Sequence, residues 1–457
     1  MALDTSSRGR ALPPRVNPPT RRLNALETFL VARRNLLETI PEAAFHERVM
    51  TGGRLTPWTM IMDPPLLEHV LKTREAIYPK SDATRRVLKP AEGESMFTAH
   101  GSHWRWQRRA AAPAFSPRAL SACAPAMTRA AEACSARLAR RGGAPADLHP
   151  EMVSTTFDVI CDVALSGRET VDRALVSRTI DRFMESVARV DPLDVLGAPE
   201  YVPRPTRLFA RRRTEMDGMV DRIIRARRKR GPADPPDLLD LMMTATDPQT
   251  GRAMSPAEIR NNLNAFILAG HETTALALSW ALWLLAFDPA AQTRARDEAQ
   301  AALGDRAATE ADLSALPFAR RVIEEAMRLY PPAALLARTA KAADDLGGEP
   351  VAPGDMVLIP IYALHRHRAL WDDPDAFDPD RFAPEAAVGR HRYAYLPFGA
   401  GPRVCIGLAF AMMEAVIVLS TLLARFRFER VVGRDPHPRM TLTLRPEGGV
   451  VLRATRV

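Results

Sequence analysis

One cysteine has neighbours that suggest chemistry. Cys405 lies in FGAGPRVCIG, Phe398 to Gly407, and an apolar run with helical spacing, Leu408 to Phe426, follows it. Backbone N–H groups at a helix start stabilise negative charge, so a sulfur placed there can act as a thiolate, the form that binds metals. Gly399, Gly401 and Gly407 permit tight turns and close approach to a flat ligand, and Arg403 offers a cation to an anionic group. On its own the segment also reads as a buried structural cysteine in a glycine-rich turn. Cys123, Cys134 and Cys161 lack such neighbours and read as packed residues.

A second group, Ala269-Gly270-His271-Glu272-Thr273-Thr274, lies within the most apolar stretch of the chain, Ala265 to Phe287. Gly270 costs a helix roughly 1 kcal/mol relative to Ala. A glycine beside an acid and two threonines suggests an opening onto a pocket. A kinked helix with a satisfied Glu–Thr pair is the other reading. Glu325 and Arg328 share a helical face by their spacing, as do Trp104 and Arg108. Phe377-Asp-Pro-Asp-Arg-Phe382 sits in a proline-rich stretch. In isolation these three read as an ion pair, a stacked Trp–Arg pair and a turn.

The elements that must position these groups are mostly helical. Apolar residues recur at three- and four-residue spacing over Pro65–Lys72, Pro117–Arg140, Pro150–Leu165, Val171–Ala188, Pro205–Arg230 and Asp237–Thr246. Pro256–Phe287, Ala290–Leu303 and Pro317–Tyr330 continue the pattern. Strand signals are fewer: Trp58–Met62, Met356–Ile361, and a hairpin of Met440–Leu444 with Val450–Thr455 around Glu447-Gly448-Gly449. The prolines of Trp371–Pro384 predict an irregular meander. Length alone suggests about three domains at roughly 150 residues each. No linker or internal repeat divides the chain, which reads as one large unit, mainly α with a minor β portion.

A composition of 46% hydrophobic and 26% charged residues excludes a disordered or collagen-like chain. Four cysteines in 457 residues cannot form a disulfide framework, so a reducing compartment fits. The net charge of +9 and a pI near 9.8 favour acidic partners. No zinc-finger spacing, aromatic RNA-binding box or long basic block is present, so nucleic acid is not expected. Met1 to Arg22 is polar and rich in Pro and Arg, with neither the apolar core of a secretory signal nor a membrane-spanning run. The expectation is a soluble, cytoplasmic protein without a membrane anchor.

Together, and in this order, the motifs resemble the cytochrome P450 family of haem-thiolate monooxygenases. The pattern F-G-x-G-x-R-x-C-x-G is met at every defined position. So is the helix pattern of a small residue, Gly, any residue, acid and Thr, at Ala269 to Thr273. E-x-x-R is Glu325 to Arg328, and a P-x-R-F-like segment is Pro379 to Phe382; the match runs from about Trp104 to the C-terminus. The resemblance implies a cytochrome P450-type haem domain over residues 23–457 behind the tail 1–22, binding haem b (iron protoporphyrin IX). Cys405 would then be the proximal thiolate ligand of the iron, a ligand that favours O–O cleavage. Thr273 and Glu272 would deliver protons on the distal side, and Ala269 and Gly270 would leave room there for O2 and substrate. Trp104, Arg108, Arg338, Arg403 and also His365 would hold the propionates. Phe398 would shield the sulfur, with Gly399 and Gly407 shaping its loop. Glu325, Arg328 and Arg381 would form a structural ion-pair triad.

The implied reaction is R–H + O2 + two electrons + two protons giving R–OH and water. No glycine-rich flavin or nicotinamide fingerprint occurs. NAD(P)H-derived electrons would therefore come through a separate ferredoxin or flavodoxin and its reductase. Arg105, Arg109, Arg390, His391 and Arg392 could form a basic docking face, or be scattered solvated cations. The pocket would be lined by the loop Arg85–Thr98, by Val187–Tyr201, Phe266–Thr273, Ala333–Leu336 and the hairpin near Gly448-Gly449. Its apolar residues, Val87, Leu88, Met96, Phe97, Phe266, Ala333, Leu335 and Leu336, suit a hydrophobic small molecule, with Arg85, Arg86 or Lys89 either gripping a carboxylate or solvated. A monomer is expected. Two alternatives stand beside this reading, a peroxide-driven hydroxylase of the same family and a non-catalytic haem-thiolate sensor.

Overall fold

The computed structural model describes residues 11–53, 57–164, 178, 210–234 and 236–457. Its helices follow the apolar spacing: α1 (Ala25–Arg34), α2 (Asp82–Glu92), α3 (Gly101–Ala111), α4 (Pro117–Ala139), α5 (His149–Ala164), α6 (Ala210–Arg230), α7 (Leu238–Met243), α8 (Pro256–Phe287), α9 (Pro289–Leu303), α10 (Pro317–Leu329) and α11 (Leu408–Arg425). Four of them begin with proline in the first turn, where its missing N–H costs nothing. Side chains of Ser116, Ser255 and Asp288 cap three of those starts. The helix predicted over Val171–Ala188 and the start of Pro205–Arg230 lie outside the described residues.

Helix α8 is apolar nearly all round, so it cannot sit at a surface. It runs through the centre against α5, α6, α10 and α11. Trp280 and Trp283 are fully buried, and Trp280 stacks on Tyr330 with ring centroids 3.7 Å apart. Elements from both ends of the sequence meet on this one helix, so the division into three domains suggested by length does not hold.

The β portion forms three main pieces. Strands β1 (Val49–Gly52), β2 (Trp58–Ile61), β4 (Leu336–Thr339) and β5 (Met356–Ile359) make a sheet in the order β1-β2-β5-β4, parallel only between β2 and β5. Strand β3 (Ala146–Asp147) pairs with β9 (Val451–Arg456), which pairs in turn with β6 (Phe426–Arg430). Strands β7 (His437–Met440) and β8 (Leu444–Glu447) form a separate ribbon. The hairpin read from the sequence is therefore wrong. Met440–Leu444 spans the turn of the β7–β8 ribbon, and Val451–Arg456 belongs to another sheet. Gly448 and Gly449, at φ 90° and 75°, redirect the chain between them. A Cβ on Gly449 would lie 2.3 Å from an Asp147 carboxylate oxygen, and Val450 N donates to Asp147 at 2.8 Å.

Two other expectations change. Residues 82–92 are helix α2, capped by Ser81, so most of the expected loop Arg85–Thr98 is helical. The tail expected over residues 1–22 is partly bound to the body: Leu12 and Val16 are buried, Arg15 pairs with Asp375 at 2.7 Å, and Tyr330 donates to Pro14 O at 2.6 Å. Among the described residues α11 is the one helix long and apolar enough to cross a membrane, and most of it is buried in the core.

Candidate active site

Cys405 lies between a 3-10 turn, Gly401–Arg403, and Gly407, the N-cap of α11. Its own N–H donates to Phe398 O at 2.9 Å, folding the loop back on itself. Gly401 is required: at φ 70° a Cβ would lie 1.9 Å from Leu71 O. The Cys405 side chain is accessible although protein surrounds it closely. Burial pushes its thiol above the ordinary range, while the Gly407 N–H, Arg108 and Lys80 act in the opposite direction. A bound cation reverses that balance, because a metal-coordinated thiol is deprotonated outright.

A second accessible surface lies on α8. Between Asn261 and Ala286 this helix is covered, but Phe266, Ala269, Gly270 and Thr273 remain accessible, one stripe at helical spacing. Thr273 Oγ1 donates to Ala269 O at 2.8 Å and Thr274 Oγ1 to Gly270 O at 3.2 Å, bonds that bend helices. Gly270 has a packing reason: a Cβ there would meet Ile160 Cδ1 of α5 at 3.3 Å. Glu272 is buried and turns away from Thr273, toward the β7–β8 ribbon. Arg445 Nε donates to its Oε1 at 2.7 Å and Thr443 Oγ1 at 3.0 Å. Adjacent helical residues point about 100° apart, so the two expected proton-handling groups serve different surfaces.

Cations gather nearby. Arg338 is 7% exposed, and its guanidinium has one hydrogen bond, to Ala337 O at 3.1 Å, with no carboxylate in ion-pair reach among the described residues. Burial, then the Arg403 charge, lowers its pKa to about 10. Arg403 pairs with Glu75 at 2.9 Å, donates to Ala99 O at 3.2 Å and covers the Trp104 ring at 4.1 Å. Trp104 thus stacks on Arg403 and not, as its spacing suggested, on Arg108. Arg108 is partly buried, again with no carboxylate in reach among the described residues. His100 Nδ1 is buried without a partner, and burial holds this imidazole near 4, neutral at pH 7.

Residues 47–454 match the family model for cytochrome P450. The chain belongs to the cytochrome P450 family. It is 36% identical over 437 residues to cyclooctatin synthase of Streptomyces melanosporofaciens, covering 92% of this chain and 91% of the relative. Human cytochrome P450 4F12 is 32% identical, with 88% and 81% covered, and Arabidopsis thaliana cytokinin hydroxylase 31%, with 89% and 80% covered. The crystal structure of the cytochrome P450DA haem domain superposes with a TM-score of 0.80 at 27% identity, covering 100% of this chain and 99% of the other. The protein is a monooxygenase of this family.

A haem cofactor fits the P450 site built here. An accessible cysteine sits in a glycine-shaped loop, and buried Arg338 has no carboxylate in ion-pair reach among the described residues, as expected if a dianionic group shares its cavity. Cys405 would ligate the iron; Trp104, Arg108, Arg338 and Arg403 would hold the carboxylates.

His365 does not join them. It is fully buried, tilted against Tyr395 at 5.1 Å between ring centroids, and accepts from Leu396 N at 2.8 Å through Nε2. Burial, reinforced by Arg328, lowers its pKa to about 3. Its role is to join the meander to α10. There Glu325 and Arg328 form a bidentate pair at 2.6 and 2.7 Å, both fully buried. Arg381 approaches Glu325 at 3.5 Å, completing the structural triad.

The basic face is smaller than expected. Arg109 is locked to buried Asp247 by two bonds of 2.7 Å. Arg390 lies 4.4 Å over the Trp371 ring and donates to Arg381 O at 2.6 Å. Arg105, His391 and Arg392 stay exposed, joined by Lys72 and Arg74, which the sequence did not single out. Arg85 and Lys89 also have local partners, Thr98 O at 3.1 Å and Glu94 at 2.6 Å. The lining expected over Val187–Tyr201 lies outside the described residues.

Proposed function

We propose that this P450 hydroxylates an apolar small molecule with one atom of O2, using electrons from a separate ferredoxin or flavodoxin system. The observation that carries the reading is the accessible stripe Phe266, Ala269 and Thr273 within the covered middle of α8, together with an accessible Cys405. Ala333, Leu335 and Leu336 are partly covered, and Leu88 and Met96 are buried, so the lining offers mostly apolar contact. Bound haem b supplies the redox centre at which O2 is reduced and cleaved. Around it the chain's own groups have distinct tasks. Cys405 would hold the iron through its sulfur, and Phe398 would keep water from that sulfur. Arg338, Arg403, Arg108 and Trp104 fix the cofactor's anionic edge. Thr273 holds a proton at Oγ1, and Glu272 replenishes it from the ribbon side once its carboxylate leaves Arg445.

Exposed Arg105, Arg392, Lys72 and Arg74 suit an acidic electron donor, which would act on a soluble, cytoplasmic, monomeric enzyme. Ligands are screened by the spectral shift that accompanies displacement of iron-bound water, and binders are then incubated with NADH, ferredoxin and reductase. Product that depends on all components supports the reading. Turnover with peroxide alone would assign the peroxide-driven chemistry, and binding without any turnover a sensor. Cys405→Ala should abolish the thiolate-type absorption of the reduced CO complex; an unchanged spectrum would overturn the haem-thiolate assignment.

A further inference from the structure

Lys80 is a cation that neither the motifs nor the function above uses. It lies opposite Arg338 in an isolated antiparallel bridge. Backbone bonds from Ser81 N to Ala337 O, 3.2 Å, and from Thr339 N to Pro79 O, 3.1 Å, flank that bridge. Residues directly opposite in such a pair project to the same face with Cβ atoms about 5 Å apart, and like charges there destabilise the pairing. Arg403 adds a third positive charge to the cluster. Two acids lie near the cluster: Glu75 pairs with Arg403 at 2.9 Å and buried Glu92 accepts from Ser95 Oγ at 3.0 Å, and neither is within ion-pair distance of Lys80 or Arg338. An arrangement of this kind is stable when an anion lies between the cations.

The same lysine is wired to the pocket wall. Its Nζ donates to Phe97 O at 3.1 Å and sits over the Phe97 ring. The next residue, Ser81, caps α2, and Asp82 N donates to Thr339 Oγ1 at 3.4 Å. Whatever holds Lys80 therefore holds the start of α2 and the loop that follows it.

We propose that Lys80 and Arg338 form a two-cation clamp on the anionic edge of bound haem, and that this clamp ties haem occupancy to the position of α2 and the 95–98 loop. The proposal rests on the haem reading of the Cys405 site. An anionic edge turns the like-charge pair into two charge-assisted contacts. Removing the anion leaves the bridge repelled from within and α2 loosened. The apolar wall carrying Val87, Leu88, Met96 and Phe97 would then firm up only when cofactor is in place.

The test uses the haem-loaded protein and three variants, Lys80→Arg, Lys80→Gln and Lys80→Met. Two quantities are read: the rate of haem transfer to excess apomyoglobin, and hydrogen–deuterium exchange over residues 81–98 with and without haem. Lys80→Met should lose haem about tenfold faster, the factor one charge-assisted hydrogen bond is worth. Its holo-form exchange over 81–98 should rise toward the apo level, with Lys80→Gln intermediate and Lys80→Arg near wild type. Arg294→Ala, whose pair with Asp380 is half exposed on both sides, should change neither. Wild-type haem retention and exchange in Lys80→Met would overturn the clamp, as would equal losses in the Met and Arg variants. If Cys405→Ala retains the thiolate-type absorption, the haem-thiolate reading falls too; if Cys405→Ala loses it and Lys80→Met behaves as wild type, the clamp alone falls.

Discussion

Replacing Arg328 by lysine should cost far more than the conserved charge suggests. The guanidinium makes two bonds to Glu325, 2.6 and 2.7 Å, and three to the carbonyls of His365, Pro374 and Ala376, at 2.8, 2.6 and 2.9 Å. Both charged partners are fully buried. An ammonium has three donors at a single point and cannot span a carboxylate and three carbonyls. At least two of the five bonds must go, and each buried group left unpaired costs about 1–3 kcal/mol. Glu325 keeps the Asp378 N–H at 2.9 Å and the approach of Arg381, so its charge is not wholly stranded. The expected loss is about 3–5 kcal/mol, the usual range for breaking a buried ion pair. Denaturant titrations followed in parallel by haem absorption and circular dichroism measure it. Arg294→Ala provides the scale, because its pair with Asp380 is half exposed on both sides and worth about 1 kcal/mol or less. An Arg328→Lys midpoint indistinguishable from that of Arg294→Ala would refute the reasoning.

Four further outcomes are expected. Gly401→Ala should yield protein with little haem, since the left-handed backbone alone costs about 1–2 kcal/mol before any clash with Leu71 O; full haem content per chain would count against the loop geometry. Glu272→Gln should slow NADH-supported turnover about a hundredfold and spare peroxide-supported turnover, whereas equal losses by both routes would remove Glu272 from proton delivery. Burial pushes the Glu414 carboxyl well above the ordinary range, so Glu414→Gln should shift stability by about 1 kcal/mol or less, and a larger change would mean the acid is ionised. His365 has a folded pKa near 3 against about 6.5 unfolded, so the unfolded chain binds the extra proton between those values. Its contribution is complete above pH 6.5 and lost as pH falls toward 3; His365→Gln should flatten that acid limb, and an unaltered limb would exclude it as the source.

The sequence carried much of this because its strongest signals are local. Helix spacing with proline and serine starts placed α4, α8, α9 and α10 to within a residue or two. The Cys405 loop was readable because glycines there answer a steric demand confined to a few residues. What escaped depends on distant partners. Arg445 is an unremarkable strand residue until the β7–β8 ribbon brings it to Glu272, 173 positions away. Arg109 looked like a free surface cation because its partner Asp247 lies 138 positions on. His365 was counted among the propionate ligands because residue type alone cannot tell a buried acceptor from an exposed donor. Lys80 had no motif; only strand pairing set it beside Arg338.

The segment from Leu12 to Val16 lies against Tyr330, Tyr362 and Asp375 like a strap. Tyr330 and Tyr362, both buried, use Pro14 O and Val16 N as their hydroxyl partners, and Arg15 supplies one of the charges on Asp375. Cutting the chain at residue 22, a natural choice if these residues are taken for a dispensable leader, would strip two tyrosine hydroxyls of partners and uncover aromatic surface next to the Arg328 network. Shortening from the N-terminus into residues 12–16 is therefore damaging, and a purification handle at that end belongs upstream of the strap on a flexible spacer.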